Sequence, residues 1–375
     1  MPDPALERMR RVAAEVGTRF CAKVLRDLVA IPAAFEANDL PVRDLRQPDR
    51  RAGIQSPARP VDRQNAHARR IVSIDVSRRH LVMLLALAGL WGASFMFIKI
   101  CVRELAPTTL VCLRLGIGAL TLAPVALLRI GPRRVGLEVR AAWKRLVLVG
   151  LVNSSIPIVS LSWAEKRIDS GLAAVIQASA PLFTAVLASR FSRSDVVTGS
   201  RLVGLVIGFG GVALLVGVQP SGNVLAALAV TFSAFCYAVA AIYSARALAS
   251  VPPLVTAVGA LTAASLALLP FAVAQRPAQF PSWEVTGSLL ALSIGGTGVA
   301  YVLYYALLAG AGASRSILIT YLVPALALAY GALLLGEPIT AAAVGGLALV
   351  LVGVALGTGV VRLAGRRARL TQVGG

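Results

Sequence analysis

Charged residues are scarce in this 375-residue chain, at 14% of the total, where a soluble domain carries about 25%. With a hydrophobic fraction of 57%, that deficit excludes a soluble protein built around a large core. Cysteine is rarer still. Cys21, Cys101, Cys112 and Cys236 show no metal-ligand spacing, and three fall within or beside apolar stretches, where a thiol behaves as a small hydrophobe. The two histidines, His67 and His80, lie outside those stretches. No His-Glu, Cys-His or Ser-Lys constellation stands at catalytic spacing, which argues against an enzyme. Nothing reads as an ATP-binding loop, and no cofactor is expected. Because no apolar run precedes Leu81, a cleavable signal peptide is not expected, and the first run is read as its own insertion signal.

Long apolar runs are abundant. They cover 81–102, 106–128, 146–164, 170–189, 202–218, 224–245, 253–274, 287–309, 316–335 and 341–361, and about twenty such residues cross a bilayer as a helix. The expectation is an all-α polytopic membrane protein with ten transmembrane helices.

The net charge of +20 would suit a nucleic-acid partner, but its distribution points to the bilayer instead. With Met1 on the cytoplasmic side, that side collects 17 Lys/Arg between Arg78 and Arg369. The opposite side receives four: Arg103, Lys166, Arg167 and Arg276. Both termini are therefore expected in the cytoplasm, with the chain multi-pass in the cytoplasmic membrane.

Residues 1–79 form a polar, Arg-rich extension whose 37–79 portion reads as disordered. Within 5–32, Leu6, Met9, Val12, Val16, Phe20, Val24, Leu28 and Ile31 make one stripe of an amphipathic helix. Two readings stand: a helix lying on the inner membrane face, or an over-long gene start with little function.

The core repeats itself. Pro181 in QASAPLFTAVL matches Pro324 in TYLVPALALAY at an offset of 143, GGVALLVG at 210–217 matches VGVALGTG at 352–359 at 142, and Trp91 aligns with Phe235 at 144. The chain then divides into 80–218 (spans one to five), 219–362 (spans six to ten) and a basic tail, 363–375. Five is odd, so the second copy enters from the opposite face. Two inverted five-helix repeats arranged this way build two pseudo-symmetric states around a central site.

Several motifs carry a resemblance. WGASFMFIK in span one, APTTLVCLRL in span two and AAVIQASAPLFTAVL in span four are similar to the drug/metabolite transporter superfamily, EamA type. So are GGTGVAYVLYYALL in span eight, ASRSILITYLVPALALAYGALLLGEPIT in span nine and GGLALVLVGVAL in span ten. The resemblance covers about 80–362 and implies a ten-helix transporter of two EamA repeats that exports small metabolites. Departures exist. RFSRSD at 190–195 stands where the second repeat has LLGEP, and Phe235 stands where many members keep tryptophan. Span one has no Asp or Glu, so the helix-one carboxylate through which the small four-helix relatives couple to protons has no counterpart there.

Polar groups inside spans nominate a site. Arg114 lies eight residues into span two, about 12 Å deep, where a charge costs about 3 kcal/mol. Either it binds an anionic substrate group or it pins neighbouring carbonyls. Lys99, near the outer end of span one, is either an anchor snorkelling to water or a second cation at the cavity mouth. Trp91, Phe95 and Lys99 follow i, i+4, i+8 spacing with Ser94 beside them, a combination suggestive of a pore lining.

Asn153, Gln177, Tyr237, Thr297, Tyr301, Thr320 and Tyr321 complete the candidate substrate-binding set. Tyr304 or Tyr305 can share a face with Tyr301. Gln177 and Thr320 stand four residues before the two prolines, either repairing local hydrogen bonding or forming a pseudo-symmetric site. Glu165, Asp169 and Glu337 read as solvated or interfacial at helix ends. Gly204/Gly208 and Gly353/Gly357 are small-xxx-small pairs, for internal packing or a homodimer contact. The partners expected are a small-molecule substrate, most readily an amino acid or related carboxylate, and the lipid bilayer. Drug-like or cationic substrates, and a non-transporting binding or lipid-handling role, are the alternatives.

Overall fold

The computed structural model describes residues 78–191, 199–217, 223–312, 316 and 318–358. The amphipathic stripe at 5–32, the rest of the extension before Arg78 and the tail 363–375 lie outside them.

Every element among the described residues is helical. They are α1 (Arg78–Cys101), α2 (Pro107–Ile130), α3 (Pro132–Gly150), α4 (Ile156–Glu165), α5 (Ser170–Gln177), α6 (Ala180–Phe191) and α7 (Ser200–Gly217). Then follow α8 (Val224–Ala247), α9 (Pro253–Ala274), α10 (Trp283–Leu290), α11 (Ala300–Ala311), α12 (Ile319–Leu335) and α13 (Ala341–Gly357). π-helical turns join α3 to α4 (Leu151–Ser155) and α10 to α11 (Ala291–Val299). The helices form eight continuous stretches long and apolar enough to cross a membrane, while α12 and α13 are apolar but shorter. The described fold is all-helical, and the protein is a multi-pass membrane protein.

Local chemistry sets the boundaries. Pro107, Pro132 and Pro253 open α2, α3 and α9 at the first turn, where a missing N–H is harmless. Gly131 ends α2 at φ +88°, a conformation without a Cβ penalty only for glycine, so α3 can start at once. The apolar run 170–189 is one stretch by sequence but two helices in the fold. It breaks at Ala178–Ser179, just before Pro181, whose ring nitrogen has no proton to donate. Ser179 Oγ repairs part of the break by donating to Ile176 O (2.7 Å). Pro324 lies inside α12 without interrupting it.

The helices pack in interlocking pairs: α1 with α12, α2 with α9, α3 with α9, α4 and α6 with α8, and α7 with α13. The α7–α13 pair packs backbone against backbone at its glycines. A Cβ on Gly353 would run into the Gly208 backbone, and one on Gly204 into Gly357, so these glycines serve internal packing. The two π-helical turns fall at the spacing of the sequence repeat and pack toward the same central space.

Candidate functional site

A cavity of about 940 Å³ occupies the middle of the helix assembly. Its lining reaches Arg201, Ser244, Ser316 and Thr358, at the helix ends that carry most of the arginines. Among the described residues, none that lines it comes from the opposite ends, the turns at Val102–Ala106 and Lys166–Asp169. Among the described residues the cavity therefore extends to the Arg-rich end and stops short of the other, the closed end.

Ten of the twelve residues nominated from the sequence line this space: Trp91, Ser94, Phe95, Arg114, Asn153, Gln177, Tyr237, Thr297, Tyr301 and Thr320. Asn153 and Thr297 come from the two π-helical turns, where the widened backbone disturbs the regular α-helical carbonyl pattern. Thr297 Oγ1 donates to Leu292 O (3.2 Å), and Ser94 Oγ to Leu90 O (2.9 Å).

Arg114 is 9% exposed. Its Nε donates to Thr297 Oγ1 at 3.1 Å. Gly118, one turn on, permits this approach: a Cβ there would stand 2.6 Å from Thr297 Cγ2. Among the described residues the other four guanidinium N–H groups find no acceptor, and no Asp or Glu lines the cavity. The same cavity is lined by a row of aromatic rings. Trp91 and Tyr304 have ring centroids 5.5 Å apart, Tyr304 and Tyr305 5.5 Å, and Tyr301 and Tyr305 5.9 Å. Tyr304 and Tyr305 both line the cavity beside Tyr301, so their shared helix face was a usable sequence signal.

Lys99 is placed elsewhere. Its Nζ donates to the main-chain carbonyls of Glu165 and Ile168, 2.7 Å each, at the C-terminal end of α4. Helical geometry accounts for this: eight residues after Trp91 the helix has turned about 80° beyond two full revolutions. Ammonium groups are favoured where terminal carbonyls lack intrahelical partners. Tyr321 also stands off the cavity and packs against the main hydrophobic cluster.

Of the three carboxyls expected to be solvated or interfacial, Glu165 departs from that state, while Asp169 is half-buried. Glu165 is 0% exposed, and among the described residues neither carboxyl oxygen has a hydrogen-bond partner. It stands on the last turn of α4, a helix that packs against α8 and also meets α1 and α5. Glu337 is tied down rather than solvated. Its Oε1 accepts from Ser170 N (2.8 Å), and its Oε2 accepts from Ser170 Oγ (2.8 Å) and Gly171 N (3.1 Å), capping α5 from across the fold. Burial, reinforced by Glu337, lifts the Asp169 carboxyl above its ordinary range, with Lys99 opposing. Glu104, at the surface, is held below its ordinary range by hydrogen bonding from Ser282, whose N–H lies 2.8 Å from Oε2.

Comparison with known proteins locates similarity over this same region. The model of the EamA-like transporter family matches residues 79–217 and again 224–358. An uncharacterized transporter of Archaeoglobus fulgidus is 31% identical over 277 residues, 73% of this chain and 96% of that protein. The uncharacterized inner membrane transporter YedA of Escherichia coli K12 is 26% identical over 68% of this chain and 83% of its own. A solved crystal structure, 21% identical, covers 75% of this chain and 98% of its own at a TM-score of 0.55, a likeness of fold.

Proposed function

Because the chain belongs to the EamA-like transporter family and is a membrane transporter, we propose that its cargo is a small carboxylate, an amino acid or close relative, and that it exports this cargo from the cytoplasm. One observation carries the substrate class: among the described residues, a buried arginine with four unpaired N–H donors lines a cavity that no acidic side chain lines. A guanidinium fork matches a carboxylate in two parallel hydrogen bonds, and a buried cation without an anion is costly. The volume of about 940 Å³ suits a small-molecule ligand. The aromatic wall would receive the substrate's apolar part.

The transport cycle follows from the proposed architecture: ten spans as two inverted five-helix repeats, α12 and α13 among them, that rock around the central cavity. Supporting this reading, the family model matches twice, and the two π-helical turns stand at the repeat spacing. The Arg-rich end would face the cytoplasm, with both termini there and the membrane the inner one. In this arrangement the cavity is open inward.

Flux of labelled amino acids and organic cations into sealed proteoliposomes tests the proposal. Arg114→Ala should abolish amino-acid flux, and Arg114→Lys should leave a small fraction, since a lysine cannot form the bidentate pair. Undiminished flux in Arg114→Ala, or movement of cations alone, overturns the carboxylate assignment.

A further inference from the structure

We propose that Glu165 is a proton-binding site through which the closed end of the cavity is linked to pH. The inference rests on the transporter reading only for its consequence, coupling to a proton gradient; the site itself stands on the packing.

Glu165 sits one turn beyond Leu161, which lines the cavity, so it lies between that lining and the closed end. It is wholly enclosed, and among the described residues neither oxygen receives a hydrogen bond. A carboxylate in such a place has lost hydration without replacement, whereas a carboxylic acid has far less to lose. The nearby cation does not neutralise it. Lys99 gives two hydrogen bonds to main-chain carbonyls, and among the described residues no ion pair joins its ammonium to the Glu165 carboxyl.

The charged and titratable groups around Glu165 come from several elements. They are Lys99 and Cys101 on α1, Arg114 on α2 and Glu337 from the turn after α12, with Asp169 close to Lys99 and Glu337. Two of these five are carboxyl groups and two are cations. Among Glu165, Asp169 and Glu337, Glu165 is the one enclosed without a partner, and Glu337 is already satisfied by three donors; Glu104, at the surface of the same end, accepts from Ser282.

Opening this end would admit water to Glu165 and remove the penalty on its ionised form. The closed state therefore binds the proton more tightly than the open state, and by linkage a proton favours closure. For one linked proton, the open fraction rises by up to about tenfold per pH unit while the group titrates.

Cys101 supplies the readout. It is fully buried on the last turn of α1, its Sγ 3.7 Å from Val285 O, at the closed end. The experiment takes the full chain in proteoliposomes with Cys21→Ser, Cys112→Ala and Cys236→Ala, leaving Cys101 as the sole thiol. Alkylation by a membrane-impermeant maleimide is followed across the neutral to alkaline range in this background and with Glu165→Gln or Glu165→Asp added. The ratio of labelling rates, parent to Glu165→Gln, cancels the thiol's own ionisation. That ratio should climb at least severalfold with pH, and Glu165→Asp should climb likewise. An anionic neighbour slows thiolate formation, so the direct field of Glu165 works against the expected rise.

A flat ratio overturns the proposal. So does fast labelling of Glu165→Gln at every pH, which would make Glu165 a packing residue. No substrate is needed, so failure here is distinct from failure of the flux experiment. If flux is found, Glu165→Gln should lose its stimulation by a pH gradient while keeping exchange of labelled for unlabelled substrate.

Discussion

At the scale of single residues, the closed end is held by donors and acceptors that meet across the fold. Glu337 satisfies two main-chain N–H groups and one hydroxyl at the start of α5, and Gly331 leaves room for its carboxyl. Glu337→Ala should cost about 1–3 kcal/mol, with Glu337→Gln recovering part, read as thermal unfolding in detergent. Glu104 and Asp169 respond to pH with opposite signs. The lowered Glu104 carboxyl binds its proton less tightly folded than unfolded. Its stabilisation is present above the ordinary carboxylate range and is lost as pH falls through the lowered value. The raised Asp169 carboxyl does the reverse: its contribution is present in acid and is lost as pH rises through the raised value. Glu104→Gln should therefore unfold earlier than wild type at neutral pH and alike in acid. Asp169→Asn should unfold later than wild type at neutral pH, and alike in acid.

Helices were more legible in the sequence than the bonds between them. Apolar runs announce the spans because nothing else suits a bilayer, and Gly131-Pro132 marks a boundary by backbone chemistry alone. The break at Ala178–Ser179 was foreshadowed by Pro181, yet Pro324 leaves α12 whole, so proline alone does not decide. The π-helical turns leave no periodic trace, since one added residue per turn does not interrupt an apolar run. The glycine pairs could have faced a second copy or a neighbouring helix, and only packing distinguishes them. Gly353→Ala should destabilise by about 1–3 kcal/mol, because the Gly208 backbone cannot give way. Gly345→Ala and Gly210→Ala, where an added methyl meets nothing within 4 Å, should stay within about 0.5 kcal/mol. Thermal unfolding of the three variants side by side checks the contrast.

For the whole molecule, the sequence pointed to this space because a polar side chain within an apolar span needs a reason, and one cavity gathers eight such residues together with Trp91 and Phe95. Lys99 and Glu165 escaped that logic. Position along a helix gives depth, but the direction a side chain faces comes from which helices surround it. The one-ended cavity predicts that Ser244→Cys, in a background without other cysteines, reacts with an impermeant maleimide presented at the Arg-rich end and not at the opposite end. Labelling from both faces would contradict the closure described above. That closure has an evolutionary side. Lys99 grips the peptide backbone at Glu165 and Ile168, and every amino acid carries the carbonyls it uses. The fastening is thus encoded in one codon rather than two. Side chains at 165 and 168 can answer to packing, or acquire work of their own, without a compensating change at position 99.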